Sequence, residues 1–122
     1  MKVFISFVAI LVLILSCVYH NEEELYPSSN TPCDTLNVTF SGKIVPLLTN
    51  NCFSCHSNTT ATFFGNGIRL ENYSDVKFMA AAISGAINRT GTYSPMPKNG
   101  SKLKACLITQ FDFWVQKGSP DN

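Results

Sequence analysis

The chain is short and almost neutral, and these two properties bound what it can be. It has 122 residues, 45% of them hydrophobic and 14% charged, which is enough for one small domain. The formal net charge is only +1, so the sequence offers no electrostatic basis for binding nucleic acid.

The first 16 residues have the pattern of a secretory signal peptide. Lys2 is followed by an apolar run from Val3 to Leu15, too short to span a bilayer comfortably. The run ends in "ILSC", which resembles the lipobox of bacterial lipoproteins. The resemblance implies that Cys17 becomes the lipidated first residue of an exported protein, anchored to the periplasmic face or the surface of the bacterial cell envelope. An uncleaved anchor is the alternative.

Residues 17–32 have the composition of a flexible tether. They contain three consecutive acidic residues, Glu22–Glu24, and two prolines, Pro27 and Pro32. We therefore expect a signal peptide at 1–16, the lipidated cysteine and acidic tether at 17–32, and the folded domain at 33–122.

Helical patterns account for the predicted elements of the domain. A short helix leading into the cysteine pair is expected in the stretch that carries Phe40, Ile44, Val45, Leu47 and Leu48. Pro46 is placed in or near its first turn, where a missing N–H is tolerated. A second is expected through Asp75–Ser84, with Ser74 as its N-cap.

The last predicted helix has the clearest pattern. It follows a candidate N-cap at Ser101 and ends before Gly118 and Pro120. One apolar stripe runs along it at helical spacing: Leu103, Leu107, Phe111, Trp114 and Val115. Because no alternating strand pattern occurs, the sequence predicts an all-α fold.

The stretch "CFSCH" at 52–56 contains the candidate functional residues of the chain. Cys-x-x-Cys-His is the signature of c-type haem attachment, in which the thiols of Cys52 and Cys55 form thioethers with one porphyrin. The adjacent His56 would then be the proximal iron ligand. His56 is the only histidine of the predicted domain, since His20 lies in the tether, so no hydrolytic triad can be assembled.

A second axial ligand would have to be a methionine. Met1 leaves with the signal peptide, and Met79 falls on the apolar face of a predicted helix, where packing is its default role. Met96 lies between Pro95 and Pro97, which restrict the backbone around its thioether. We therefore expect Met96 to be the distal ligand. A haem enzyme or gas sensor would instead need this position open.

The order of these features resembles the class I cytochrome c family, and within it the small c-type domains of Bacteroidetes lipoproteins. The resemblance rests on a helix, "CFSCH", "SPMPKNG" and a C-terminal helix bearing aromatic residues, and it spans about Phe40 to Pro120. It implies one covalent haem c wrapped by helices, with Cys52 and Cys55 as attachment sites and His56 and Met96 as iron ligands. The implied function is single-electron transfer to transient redox protein partners, not enzymatic catalysis.

The resemblance also implies that the first and last helices of the domain cross. Phe40, Ile44 and Leu48 would then meet Leu107, Phe111 and Trp114. If Cys17 carries lipid and the motif carries haem, Cys33 and Cys106 are left over, and an oxidising compartment favours a disulfide between them.

Other uses of the cysteines stay open at this point. Cys33, Cys52, Cys55 and Cys106 would suffice for a structural zinc site, although the two outer cysteines are isolated rather than paired. The alternative to a disulfide is that Cys33 and Cys106 are two unrelated free thiols. A thioredoxin-like dithiol would need a βαβ context, which the sequence lacks.

Overall fold

A computed structural model describes residues 33–122. The predicted signal peptide, the predicted lipidation site Cys17 and the predicted tether with His20 lie outside these residues. Six α-helices follow one another in the described part: α1 Val45–Asn51, α2 Phe53–His56, α3 Ala61–Phe64, α4 Tyr73–Phe78, α5 Ala80–Asn88 and α6 Ala105–Gln116. Strands are absent from residues 33–122, so the prediction of an all-α domain is confirmed.

A π-helical segment, Phe40–Ile44, leads directly into α1. Thr39 caps it, because its Oγ1 accepts a hydrogen bond from the Gly42 N–H at 3.0 Å. Pro46 lies in the first turn of α1, where its missing N–H costs no helical hydrogen bond. The predicted position of this proline is therefore confirmed, while the wider π-helical turn was not anticipated.

The core forms where the π-helical segment meets α6. Phe111 and Trp114 of α6 are fully buried, and the ring of Trp114 lies 5.6 Å from the ring of Phe40, centroid to centroid. The Trp114 Nε1–H donates to the carbonyl of Pro120 at 2.9 Å, so the buried indole keeps its hydrogen bond. The meeting of the first and last helical elements agrees with what the resemblance implies.

Two predicted helix boundaries are wrong. Helix α6 begins at Ala105 rather than after Ser101, because Lys104 has an extended backbone (ψ 139°) and its carbonyl accepts the first helical hydrogen bonds. Ser101 and Leu103 therefore belong to the preceding loop. Ser74 lies within α4, which follows Asn72, and the expected single helix is interrupted at Met79 between α4 and α5.

The sulfur atoms of Cys33 and Cys106 lie 2.06 Å apart, at disulfide bonding distance. The bond joins the beginning of the described chain to the first turn of α6, across a sequence separation of 73 residues. It accords with the pairing expected from the cysteine count. Among residues 33–122, no helix has the length and apolarity that crossing a bilayer requires.

The disulfide should contribute measurably to stability. Closing a loop of 73 residues restricts the unfolded chain, for which chain-entropy arguments give about 4 kcal/mol as an upper value. We expect the Cys33→Ala/Cys106→Ala double variant to lose about 2–4 kcal/mol of unfolding free energy in denaturant titrations. Mass spectrometry of the unreduced, alkylated wild type should find neither cysteine modified. Alkylation of both would contradict the pairing.

Candidate functional site

Cys52, Cys55 and His56 lie on a single helical turn. Cys52 is the residue between α1 and α2, and its carbonyl accepts hydrogen bonds from the N–H groups of Cys55 at 3.1 Å and His56 at 2.9 Å. The structure therefore brings the three residues of the motif together in one rigid piece of backbone.

Both cysteines of the motif are free thiols. Cys55 is exposed, whereas Cys52 is half-buried and packs against the edge of the core. Burial raises the pKa of the Cys52 thiol from 9.0 to about 11, so this thiol is protonated at neutral pH. Neither cysteine of the motif is joined to another cysteine of the described residues.

The imidazole of His56 is oriented by the chain that follows α3. Its Nδ1 lies 2.9 Å from the carbonyl oxygen of Ile68, and the His56 carbonyl accepts from the Leu70 N–H at 2.9 Å. Because a carbonyl oxygen only accepts, Nδ1 must carry the hydrogen of the first bond. In the neutral ring, Nε2 is then left with an unshared electron pair, the form that binds a metal.

Gly65 lets the end of α3 lie against the motif. A Cβ atom at this position would come within 2.4 Å of the Cys55 carbonyl oxygen and 2.8 Å of the His56 Nδ1. Any other residue would push the histidine ring or the motif backbone out of place. The absence of a side chain at Gly65 is therefore part of how His56 is positioned.

Two aromatic side chains beside this contact are unusually exposed. Phe63 and Phe64, which directly precede Gly65, are 79% and 72% exposed, with ring centroids 6.4 Å apart. Large apolar side chains in a group on a small protein commonly mark a surface that another apolar body covers. This surface lies next to the cysteine motif along the chain.

Met96 is held by a different part of the fold. It is half-buried in the loop between α5 and α6, and its N–H donates to the carbonyl of Ala86 in α5 at 3.0 Å. Met79 sits between α4 and α5, half-buried against the core, which matches the packing role expected for it. That Met96 and His56 bind one iron stays a prediction.

Cys33 and Cys106 do not join the motif, since they are bonded to each other. The zinc alternative would require the thiolates of both, so this disulfide removes two of its four ligands. Over residues 33–122, histidine, cysteine and acidic side chains form no group of three or more placed to hold a metal ion.

A cleft of about 730 Å³ lies between α1 and the beginning of α6. Its walls include Leu47, Leu103 and Leu107 together with the exposed lysines Lys102 and Lys104. The cleft does not coincide with the predicted site, because the motif cysteines, His56 and Met96 are not among its lining residues.

The sequence interpretation missed the groups that orient the predicted ligands. They are Gly65, the carbonyl of Ile68 and the carbonyl of Ala86. The Gly-Asn-Gly stretch at 65–67 indicated a turn, but a turn does not reveal which atoms it brings together. Backbone acceptors leave no signal in a sequence.

No protein-family model, curated protein or solved structure matches this chain.

The two motif thiols should differ in reactivity when no group is bound to them. Raising the pKa of Cys52 from 9.0 to about 11 lowers its thiolate fraction about 100-fold at pH 8. In the haem-free full chain, we expect iodoacetamide to modify the exposed Cys55 first and Cys52 far more slowly, as followed by peptide mapping. Unfolding in denaturant is the control and should bring Cys52 to an ordinary cysteine rate. A fast Cys52 in the folded protein would contradict its burial.

Proposed function

We propose that this chain is a monohaem c-type cytochrome that carries single electrons outside the cytoplasm. The observation that carries the proposal is the state of the motif: His56 is fixed through Nδ1 with Nε2 left to bind iron, on the same turn as two free thiols. Export and attachment to the membrane rest on residues 1–17, outside the described part of the chain.

The residues present fit the demands of a covalent haem. Such a group needs two thiols close together, an oriented imidazole and an apolar surface against its flat faces. Cys52 and Cys55 supply the thiols, and the exposed rings of Phe63 and Phe64 supply apolar surface near them. A structural zinc site would use none of this apolar surface and would lack two of its ligands.

The mechanism assigns simple roles to the residues of the chain. When bound, the haem supplies an iron that alternates between the ferrous and ferric states. Cys52 and Cys55 would hold it through thioethers, and His56 and Met96 would bind its iron. The Ile68 carbonyl keeps the proton of His56 on Nδ1 and makes Nε2 a better donor to the metal. No bond to substrate is made or broken, so no acid–base residue is needed.

Partners are proposed to be redox proteins that bind transiently. Without residues 1–16, the eight basic residues of the chain equal the eight acidic ones. Long-range electrostatic steering should therefore be modest, and association should depend on short-range contacts. A c-type cytochrome acting as an electron carrier is not itself an enzyme, and it can serve as the electron-transfer domain of a larger oxidoreductase system.

Removing the two thiols should abolish covalent attachment. We expect the Cys52→Ala/Cys55→Ala variant, produced with a c-type maturation system, to lose its haem on acid–acetone extraction, because no thioether can form. The Cys33→Ala/Cys106→Ala variant is the matched control and should keep its haem bound to the polypeptide. Haem that resists extraction from the first variant would contradict the assignment of Cys52 and Cys55.

Replacing Met96 should change the reduction potential of the iron and its binding of added ligands. We expect Met96→Ala to lower the reduction potential by roughly 0.1 V or more, since axial ligands set haem potentials over about 0.8 V. The variant should also bind added imidazole readily. Met79→Ala is the matched control and should reduce stability while leaving the potential unchanged. The reverse result would make Met79 the ligand, and an unchanged potential in both variants would favour an enzyme or sensor with an open distal position.

A further inference from the structure

The segment that carries Met96 is long and has no regular structure of its own. It runs from the end of α5 to the beginning of α6, residues 89–104, and it includes two glycines and two prolines. A loop of this length pays a large conformational entropy to hold one side chain in place, unless contacts elsewhere fix its backbone. Contacts with α5 fix the backbone of this loop.

One turn at the end of α5 provides three attachment points for this loop. The first is the carbonyl of Ala86, which accepts the Met96 N–H at 3.0 Å. This carbonyl lies in the last turn of α5, where it also accepts the N–H of Arg89 at 3.2 Å, and its second lone pair is left for Met96. The backbone of the methionine is thus fixed to a helix end.

Arg89 provides the second attachment. It ends α5 in the left-handed conformation (φ 61°), and its Nη2 donates to the carbonyl of Gly100 at 2.6 Å. The Gly100 N–H in turn donates to the carbonyl of Pro97 at 3.2 Å. A chain of hydrogen bonds therefore connects Arg89 to the residue directly after Met96, and it closes the loop on the far side of the methionine.

Gly85 and Tyr93 form the third attachment. A Cβ atom at Gly85 would lie 2.2 Å from the Cδ2 atom of Tyr93, so the tyrosine ring rests on α5 where the helix has no side chain. Tyr93 precedes Met96 by three residues. The loop is consequently held on both sides of the methionine, by Tyr93 before it and by the Arg89–Gly100 bond after it.

We propose that Arg89 and the Gly85–Tyr93 pair are positioning residues for Met96, and that they set how firmly its sulfur stays on the iron. The inference rests on the proposed function and adds the control of its distal ligand. None of these residues contacts the iron itself. They act by restricting the loop, so their loss should increase the fraction of molecules in which the sulfur has left and an added ligand can enter.

The test measures imidazole binding to the oxidised, haem-containing full chain, followed by loss of the far-red thioether-to-iron absorption band. We expect Arg89→Ala to increase the apparent imidazole affinity about fivefold or more, in the range usual for coupling between sites. Amide hydrogen exchange at Met96 should become faster in the same variant. Lys102→Ala removes a positive charge from the same loop and should change the affinity less than about twofold.

The Gly85–Tyr93 contact can be tested by a double-mutant cycle. We expect Gly85→Ala and Tyr93→Ala each to raise the imidazole affinity. Each substitution disrupts the contact between the Tyr93 ring and α5, and so loosens the part of the loop that precedes Met96. In the Tyr93→Ala background, Gly85→Ala should add no further increase, since the added methyl group then has no ring to displace. Additive effects in this cycle would show that the contact does not act on Met96.

The outcomes separate this inference from the proposed function. A haem-containing Arg89→Ala protein with wild-type imidazole affinity and wild-type exchange at Met96 would overturn the inference and leave the cytochrome proposal standing. A wild type that has haem but lacks the thioether band would also overturn it, because Met96 would not be the ligand. A wild type without haem would contradict the proposed function, and the inference with it.

Discussion

The packing of Phe40 against Trp114 is the contact on which the arrangement of the domain depends. It joins the segment that enters α1 to the last helix, and it is reinforced where the Phe40 N–H donates to Asn122 Oδ1 at 2.8 Å. Burying two large aromatic side chains contributes several kcal/mol. Because α1 leads straight into Cys52, this contact also fixes the point at which the cysteine motif leaves the core.

Local patterns predicted much of this fold, and tertiary contacts decided the rest. Apolar residues at helical spacing place Phe111 and Trp114 on one helix face, and both side chains are fully buried. The start of α6 and the interruption at Met79 were missed, since an apolar stripe does not show where the backbone turns. The site divides in the same way. The motif residues are visible in the sequence, whereas the carbonyl of Ile68 that orients His56 is not.

The two halves of the proposed site differ in how the chain positions them. Cys52, Cys55 and His56 share one helical turn, so their relation is fixed by local backbone geometry. Met96 lies on a loop whose position depends on the end of α5. We infer that the proximal side is rigid and that the distal side can be tuned by residues distant from the iron. Such a division would allow the potential and the ligand exchange to change without altering haem attachment.

The central claim is that an iron porphyrin is bound covalently to this polypeptide. The most direct measurement is the absorption spectrum of the purified full chain, oxidised and reduced, after production with a working c-type maturation system. The account predicts a Soret band in both states, an α band on reduction, and colour that stays with the protein after denaturation. A colourless protein, made alongside a known c-type cytochrome that matures normally in the same cells, would contradict it.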